Sequence, residues 1–132
     1  MNDNDLINEY VRKFPRLFHG APPEFSSHVP TGWADLTGRL LADLDLKLSD
    51  SQADRFKILQ IKEKLAGLRV YWRLALEEAP EYDLIAACIT TAEGEASQTC
   101  QHCGEPGHAA RHIPGWLVTL CDACCKLPAE EL

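Results

Sequence analysis

Hydrophobic residues near the start of the chain fall at Leu6, Ile7, Tyr10, Val11 and Phe14, the three-and-four spacing that lines one face of a helix. Pro15 cannot continue that helix, so the pattern predicts an amphipathic helix over 4–14. The next stretch, PRLFHGAPPEFSSHVPTG (15–32), is interrupted by prolines and glycines and reads as an irregular connector. Leu17, Phe18 and Phe25 are expected to pin it to the core. A second stripe, Trp33, Leu36, Leu40, Leu44 and Leu48, predicts a second helix with Thr31 as its N-cap.

The segment RFKILQIKEKLAGLRVYWRL carries two periods at once. Ile58, Ile61, Leu65, Leu68 and Trp72 fit a helical stripe, whereas Leu68, Val70, Trp72 and Leu74 alternate with Arg69, Tyr71 and Arg73 as in a half-buried strand. Gly67 interrupts the run where a turn would sit. The reading adopted is an antiparallel hairpin, 55–62 and 68–74, with the basic side chains on its exposed face and Trp72 turned toward the core. Pro80 at a first helical position, followed by Glu81 and Asp83 at the positive end of the helix dipole, predicts a third helix through Tyr82, Ile85, Ile89 and Ala92. Cys88 lies on its apolar side, and Gly94 is expected to fray its end. The predicted fold class is α+β: helices packed on a small antiparallel hairpin, followed by a C-terminal zinc-finger module.

Composition sharpens this picture. The chain has 132 residues, 45% of them hydrophobic, which suits one compact domain: a core over 1–97 with a module over 98–132 packed on it. No run of 18 apolar residues occurs, and the segment MNDNDLINEY is acidic rather than a basic n-region, so a soluble, cytoplasmic protein is expected. The formal charge of −7 argues against general affinity for duplex nucleic acid, whose phosphates attract Lys- and Arg-rich surfaces. The charge is unevenly placed. Arg55, Lys57, Lys62, Lys64, Arg69 and Arg73 cluster in the hairpin against only Asp54 and Glu63.

The cysteines carry the chemistry. In a reducing compartment, paired C-x2-C spacings point to a metal rather than to disulfides. Cys100 and Cys103 form one pair, Cys121 and Cys124 a second, and the 17 residues between them match tetrahedral zinc spacing. Cys100, Cys103 and His108 also begin a nucleocapsid-type C-x2-C-x4-H-x4-C knuckle, but Ile113 stands at its fourth place, so the later pair is expected to complete the shell. His108, His112 or Cys125 replacing one cysteine stays open. Gly104 suits the reversal after the first pair. AARHI and WLVTL are strand-like runs around Pro114 and Gly115, and the second pair is expected to open a short helix with Asp122 in its first turn and Pro128 helping to stop it. Knuckle, hairpin, then cysteines at a helix start resembles a treble-clef zinc finger over 98–128, which implies one structural Zn²⁺.

Catalytic patterns are weak. RHIPG has a partial likeness to the D-H-I-x-P stretch of His-Asn-His nucleases, but Arg111 replaces the acidic residue that helps hold a divalent metal, and no Asn and His follow. His112 would then lack its metal partner as a general base. Neither a phosphate-cradling glycine loop nor a Ser/His/Asp arrangement is present. The expectation is therefore no enzyme, with a degenerate His-Asn-His-type nuclease as the remote alternative.

FPRLF, TGW, IKEKLAGLRVYW, CxxCG, HIPGW and LCDAC together resemble a family of small, mostly uncharacterised phage and prophage proteins, in which the central segment commonly reads KEKFGGLRFY; Ala66 departs from it by one small residue. The resemblance implies a bacterial host cell and no established activity. By that analogy the expected function is a zinc-stabilised protein-interaction module whose partner is a host protein or complex, such as an inhibitor of nucleic-acid-handling or defence machinery, with acidic faces imitating phosphate charge. The alternative is a single-strand-binding protein using Lys62, Lys64, Arg69 and Arg73, with Tyr71 and Trp72 able to stack bases.

Overall fold

The structure is a computed structural model describing residues 3–75, 80–113 and 116–132; the side chains of His112 and Ile113, and residues Glu77, Glu78, Pro114 and Gly115, lie outside the described part. Helix α1 spans Asp3–Lys13 and α2 Pro15–Phe18, with Pro15 opening α2 where its missing N–H costs nothing. A 3-10 turn at Thr31–Trp33 leads into α3, Ala34–Lys47, and a capping box formed by Ser49 and Gln52 starts the short α4, Asp50–Ala53. Strands β1 (Phe56–Lys64) and β2 (Gly67–Leu74) form an antiparallel hairpin, followed by α5, Pro80–Ala96. A second antiparallel hairpin, β3 (His108–Ile113) and β4 (Trp116–Leu120), precedes a 3-10 turn at Cys124–Lys126. Thus the α+β architecture is present, with two separate two-stranded sheets. Among the described residues, no helix is long and apolar enough to cross a membrane.

Two apolar clusters organise these elements. The larger draws Leu6, Ile7 and Tyr10 from α1, Leu17 and Phe18 from α2, the stripe Trp33 to Leu48, the inner faces of β1 and β2, and Ile85, Ile89 and Ala92 from α5. Helix α3 packs on α5, and α5 on β2. Trp72 is half-buried against Phe56 and Tyr82, with ring centroids at 6.0 and 4.8 Å. The smaller cluster comprises Cys100, Val118, Leu120 and Cys124, with Cys121, Cys125 and Leu127 packed against it.

Several sequence expectations need correction. Residues 15–18 are helical rather than irregular. Phe25 is exposed at 54%; its segment is held instead by backbone, through Phe25 N–H to Leu59 O and His28 N–H to Ile61 O, while Val29 and Pro30 are buried. Thr31 makes no capping hydrogen bond, because the chain enters α3 through the 3-10 turn and the amides of Trp33 and Ala34 are satisfied by Pro30 O and Thr31 O. Gly94 does not end α5, which continues to Ala96. Nor is Gly67 the hairpin turn. That turn is Leu65–Ala66, at φ 52° and 66°, and Gly67 is already in β2. Two positive φ values give a turn that matches strand twist, a conformation normally left to Asn and Gly. Tertiary contacts impose it here: the Ala66 N–H donates to Glu63 Oε1, and Ala66 O accepts from the buried Thr119 hydroxyl at 2.7 Å.

Candidate metal centre

The cysteine module is built from two matching turns. In the first, Cys103 N–H points at Cys100 Sγ (3.5 Å) and Gly104 N–H bonds Cys100 O; Gly104 takes φ 86°, the left-handed conformation its sequence position suggested. The second repeats the pattern, with Cys124 N–H at 3.4 Å from Cys121 Sγ and Cys125 N–H bonding Cys121 O. Each turn aims both its sulfurs to one side. The β3–β4 hairpin returns the second turn to the first, and the closing helix of a treble clef is here a single 3-10 turn, Cys124–Lys126.

The result is one cluster. The Sγ atoms of Cys100, Cys103, Cys121 and Cys124 all lie within 4.8 Å of one another. Four sulfurs each about 2.3 Å from a central ion would stand about 3.8 Å apart. Cys103 and Cys121 Sγ are already at 3.6 Å, and all six cysteines are free thiols rather than disulfides. The donor set therefore fits a tetrahedrally held, thiophilic metal ion. Cys100 and Cys124 are buried, Cys121 is half-buried and Cys103 exposed, so the site lies just beneath the surface.

Electrostatics at the cluster agree with that geometry. Burial opposes the Cys100 thiolate, but backbone N–H groups of Cys103, Cys121 and His102 outweigh it and lower the thiol to about 7. Burial, with the sulfurs of Cys121, Cys100 and Cys103 crowding it, pushes Cys124 strongly upward. At Cys103 a backbone hydrogen bond involving Glu105 favours the thiolate, yet desolvation and the sulfurs of Cys100 and Cys121 prevail and raise it. Four like charges at this spacing oppose one another, and a divalent cation removes that opposition.

His108 is exposed at the start of β3 and outside the cluster. Cys125 packs against the small apolar cluster rather than joining the four sulfurs. Cys88 is half-buried on α5, where its thiol donates to Asp43 Oδ2 at 3.3 Å and burial raises its pKa.

The supports around the cluster were not singled out in the sequence as positioning residues. A Cβ on Gly32 would overlap Cys100 O and sit 2.6 Å from Gln101 C and 2.8 Å from Gly104 N, so the main chains are in direct contact. Gly32 N–H donates to Gln101 O, and Trp33 Nε1–H to Thr99 O at 2.8 Å. The TGW motif thus clamps the first cysteine turn to the main core. A Cβ on Gly107 would also crowd backbone, at 2.8 Å from Leu120 C and 3.0 Å from Cys100 N. Gln101 pairs with Thr119 through both main chain and side chain. The glycine between a proline-rich connector and an aromatic was the only sequence signal for this clamp.

The basic residues gather elsewhere. Lys62 faces Arg69 across the β1–β2 ladder, Lys57 faces Arg73, and Lys64 faces Gly67, all on the outward side of the hairpin. Comparison with protein-family models, curated proteins and solved structures yields no match to this chain.

Proposed function

We propose that the protein is a non-catalytic binding module whose C-terminal segment is built around one structural Zn²⁺. The convergence of four cysteine sulfurs within 4.8 Å carries this reading. Four protein thiolates would fill a tetrahedral shell and leave no position for water or substrate, which suits a structural ion rather than a hydrolytic one. The metal would contribute on the order of 10 kcal/mol of folding free energy to a segment with only a small apolar cluster of its own.

The resemblance to phage and prophage proteins supports a partner in the nucleic-acid-handling or defence machinery of a bacterial host. Within that setting, four of the acidic side chains are drawn into ion pairs rather than standing free for phosphate mimicry. Asp43 is paired with Lys47, Asp45 and Asp50 with Arg16, and Glu95 with Arg39. Other acids, among them Asp35, Glu81, Asp83 and Asp122, stay outside those ion pairs, and among the described residues the hairpin cations Lys57, Lys62, Lys64, Arg69 and Arg73 do too.

Cobalt substitution tests the closed shell. The Co²⁺ protein is expected to show thiolate charge-transfer and intense tetrahedral d–d absorption that added azide leaves unchanged. Spectra of a five- or six-coordinate ion, or bands that shift with azide, would reveal an open position and contradict the structural role.

A further inference from the structure

The outward face of the β1–β2 hairpin carries a charge pattern that folding does not explain. Register places Lys57 directly opposite Arg73 and Lys62 directly opposite Arg69, with Lys64 beyond them and Tyr71, opposite Gln60, between the two rows. Like charges facing each other across an antiparallel pair destabilise it. Among the described residues, none of these five cations is ion-paired with a carboxylate, although the chain carries −7 overall and Lys13, Arg16, Arg39 and Lys47 all find acids. Tyr71 is 41% exposed in their midst, whereas Trp72 and Phe56 stack on the inner side.

We propose that this face binds single-stranded nucleic acid, its cations contacting successive phosphates and the Tyr71 ring stacking on a base. A polyanion relieves the repulsion within the face. Residues two apart on a strand repeat every ~7 Å, the scale of an extended sugar–phosphate backbone. A stacked base needs an exposed π-face, which a single strand offers and a duplex hides. A peptide added to a strand edge fits less well, because both edges are partly occupied. Backbone of residues 25–28 covers β1, and on β2 the Val70 N–H donates to Glu93 Oε2 beside the packed α5. The inference rests on the reading of this protein as a binding module, and it replaces a protein partner with a nucleic acid.

The test is fluorescence anisotropy of the full zinc-loaded chain with a labelled oligothymidine of about 16 nucleotides. With four or five cations engaged, affinity should fall about 50- to 130-fold between about 50 and 200 mM salt. Joint Lys62→Gln and Arg69→Gln substitution should weaken binding and flatten the salt slope by about 1.4, while raising or preserving the unfolding temperature because the repulsion is gone. Tyr71→Ala should weaken binding roughly tenfold with the slope unchanged. No binding at about 50 mM salt, undiminished binding by the variants, equal affinity for a hairpin duplex, or tighter binding of a polyglutamate peptide would each overturn the proposal. Zinc content is measured on the same samples. A chain that holds zinc but ignores the oligonucleotide loses only this inference, whereas one that binds without metal loses only the metal reading.

Discussion

Replacing Gly32 by alanine puts a methyl group where the Cys100 carbonyl oxygen, Gln101 C and Gly104 N already stand, all of them backbone atoms with no rotamer to yield. The first cysteine turn has to move away from the core. Overpacking of this kind costs about 1–3 kcal/mol. Weakening the hydrogen bonds from Gly32 N–H to Gln101 O and from Trp33 Nε1–H to Thr99 O adds about 1 kcal/mol each, for a total near 3–5 kcal/mol. At roughly 3–5 °C per kcal/mol for a chain of this size, the zinc-loaded protein should melt about 9–25 °C lower. Gly38→Ala is the control: on α3 its Cβ meets only Tyr10 Cε1 at an ordinary 3.7 Å, so removing backbone freedom should stabilise by about 0.5–1 kcal/mol. Urea unfolding of the two variants reads both signs at once. If Gly32→Ala matches the parent in stability and zinc retention, the TGW motif does not clamp the turn and the account of its role is wrong.

Other substitutions probe separate parts of the fold. Thr37 is fully buried on α3 with no hydrogen-bond partner for its hydroxyl, so Thr37→Val should stabilise by about 1 kcal/mol in urea unfolding. Leu65 sits at φ 52° with its side chain exposed, and Leu65→Asn should raise the melting temperature by a few degrees, since left-handed backbone costs a branched residue about 1–2 kcal/mol and Asn less. Thr119→Val removes the donor to Ala66 O and should cost about 1–2 kcal/mol, with hydrogen exchange rising at the Leu65–Ala66 turn. Burial, aided by Glu9 and Asp35, raises the Tyr10 pKa to about 12, so the folded state keeps its proton where an unfolded tyrosine at 10 loses it. The associated stability, about 2–3 kcal/mol, is complete below pH 10 and disappears as pH climbs through about 12; Tyr10→Phe should flatten that decline.

The helical stripes were legible because each apolar position in them meets the core: Trp33, Leu36, Leu40, Leu44 and Leu48 are all buried. The hairpin was harder, and the reason is local. A bulge between Ile58 and Gln60 resets the alternation, so Ile58 and Ile61, three apart, both face inward and imitate a helical spacing. Its turn fell within the expected gap 63–67 but not at Gly67, because Gly67 draws attention, whereas the left-handed pair Leu65–Ala66 is held by Glu63 and by the distant Thr119, which no local rule reveals. The four cysteines were readable from spacing alone, since two C-x2-C turns need little else to aim their sulfurs. The Gly32 clamp was not, because close backbone approach leaves no periodicity. The likeness of CGEPGH to a nucleocapsid-type knuckle was turn chemistry: the Gly104 reversal is shared, but His108 is exposed and not among the clustered ligands.

Metal content per folded chain tests the central claim most directly. Elemental analysis of the purified protein should give one zinc per chain, with Cys121→Ser losing the ion and the stability that goes with it. A parent chain that folds with no metal, or a Cys121→Ser variant that keeps a full equivalent and melts unchanged, would contradict the account.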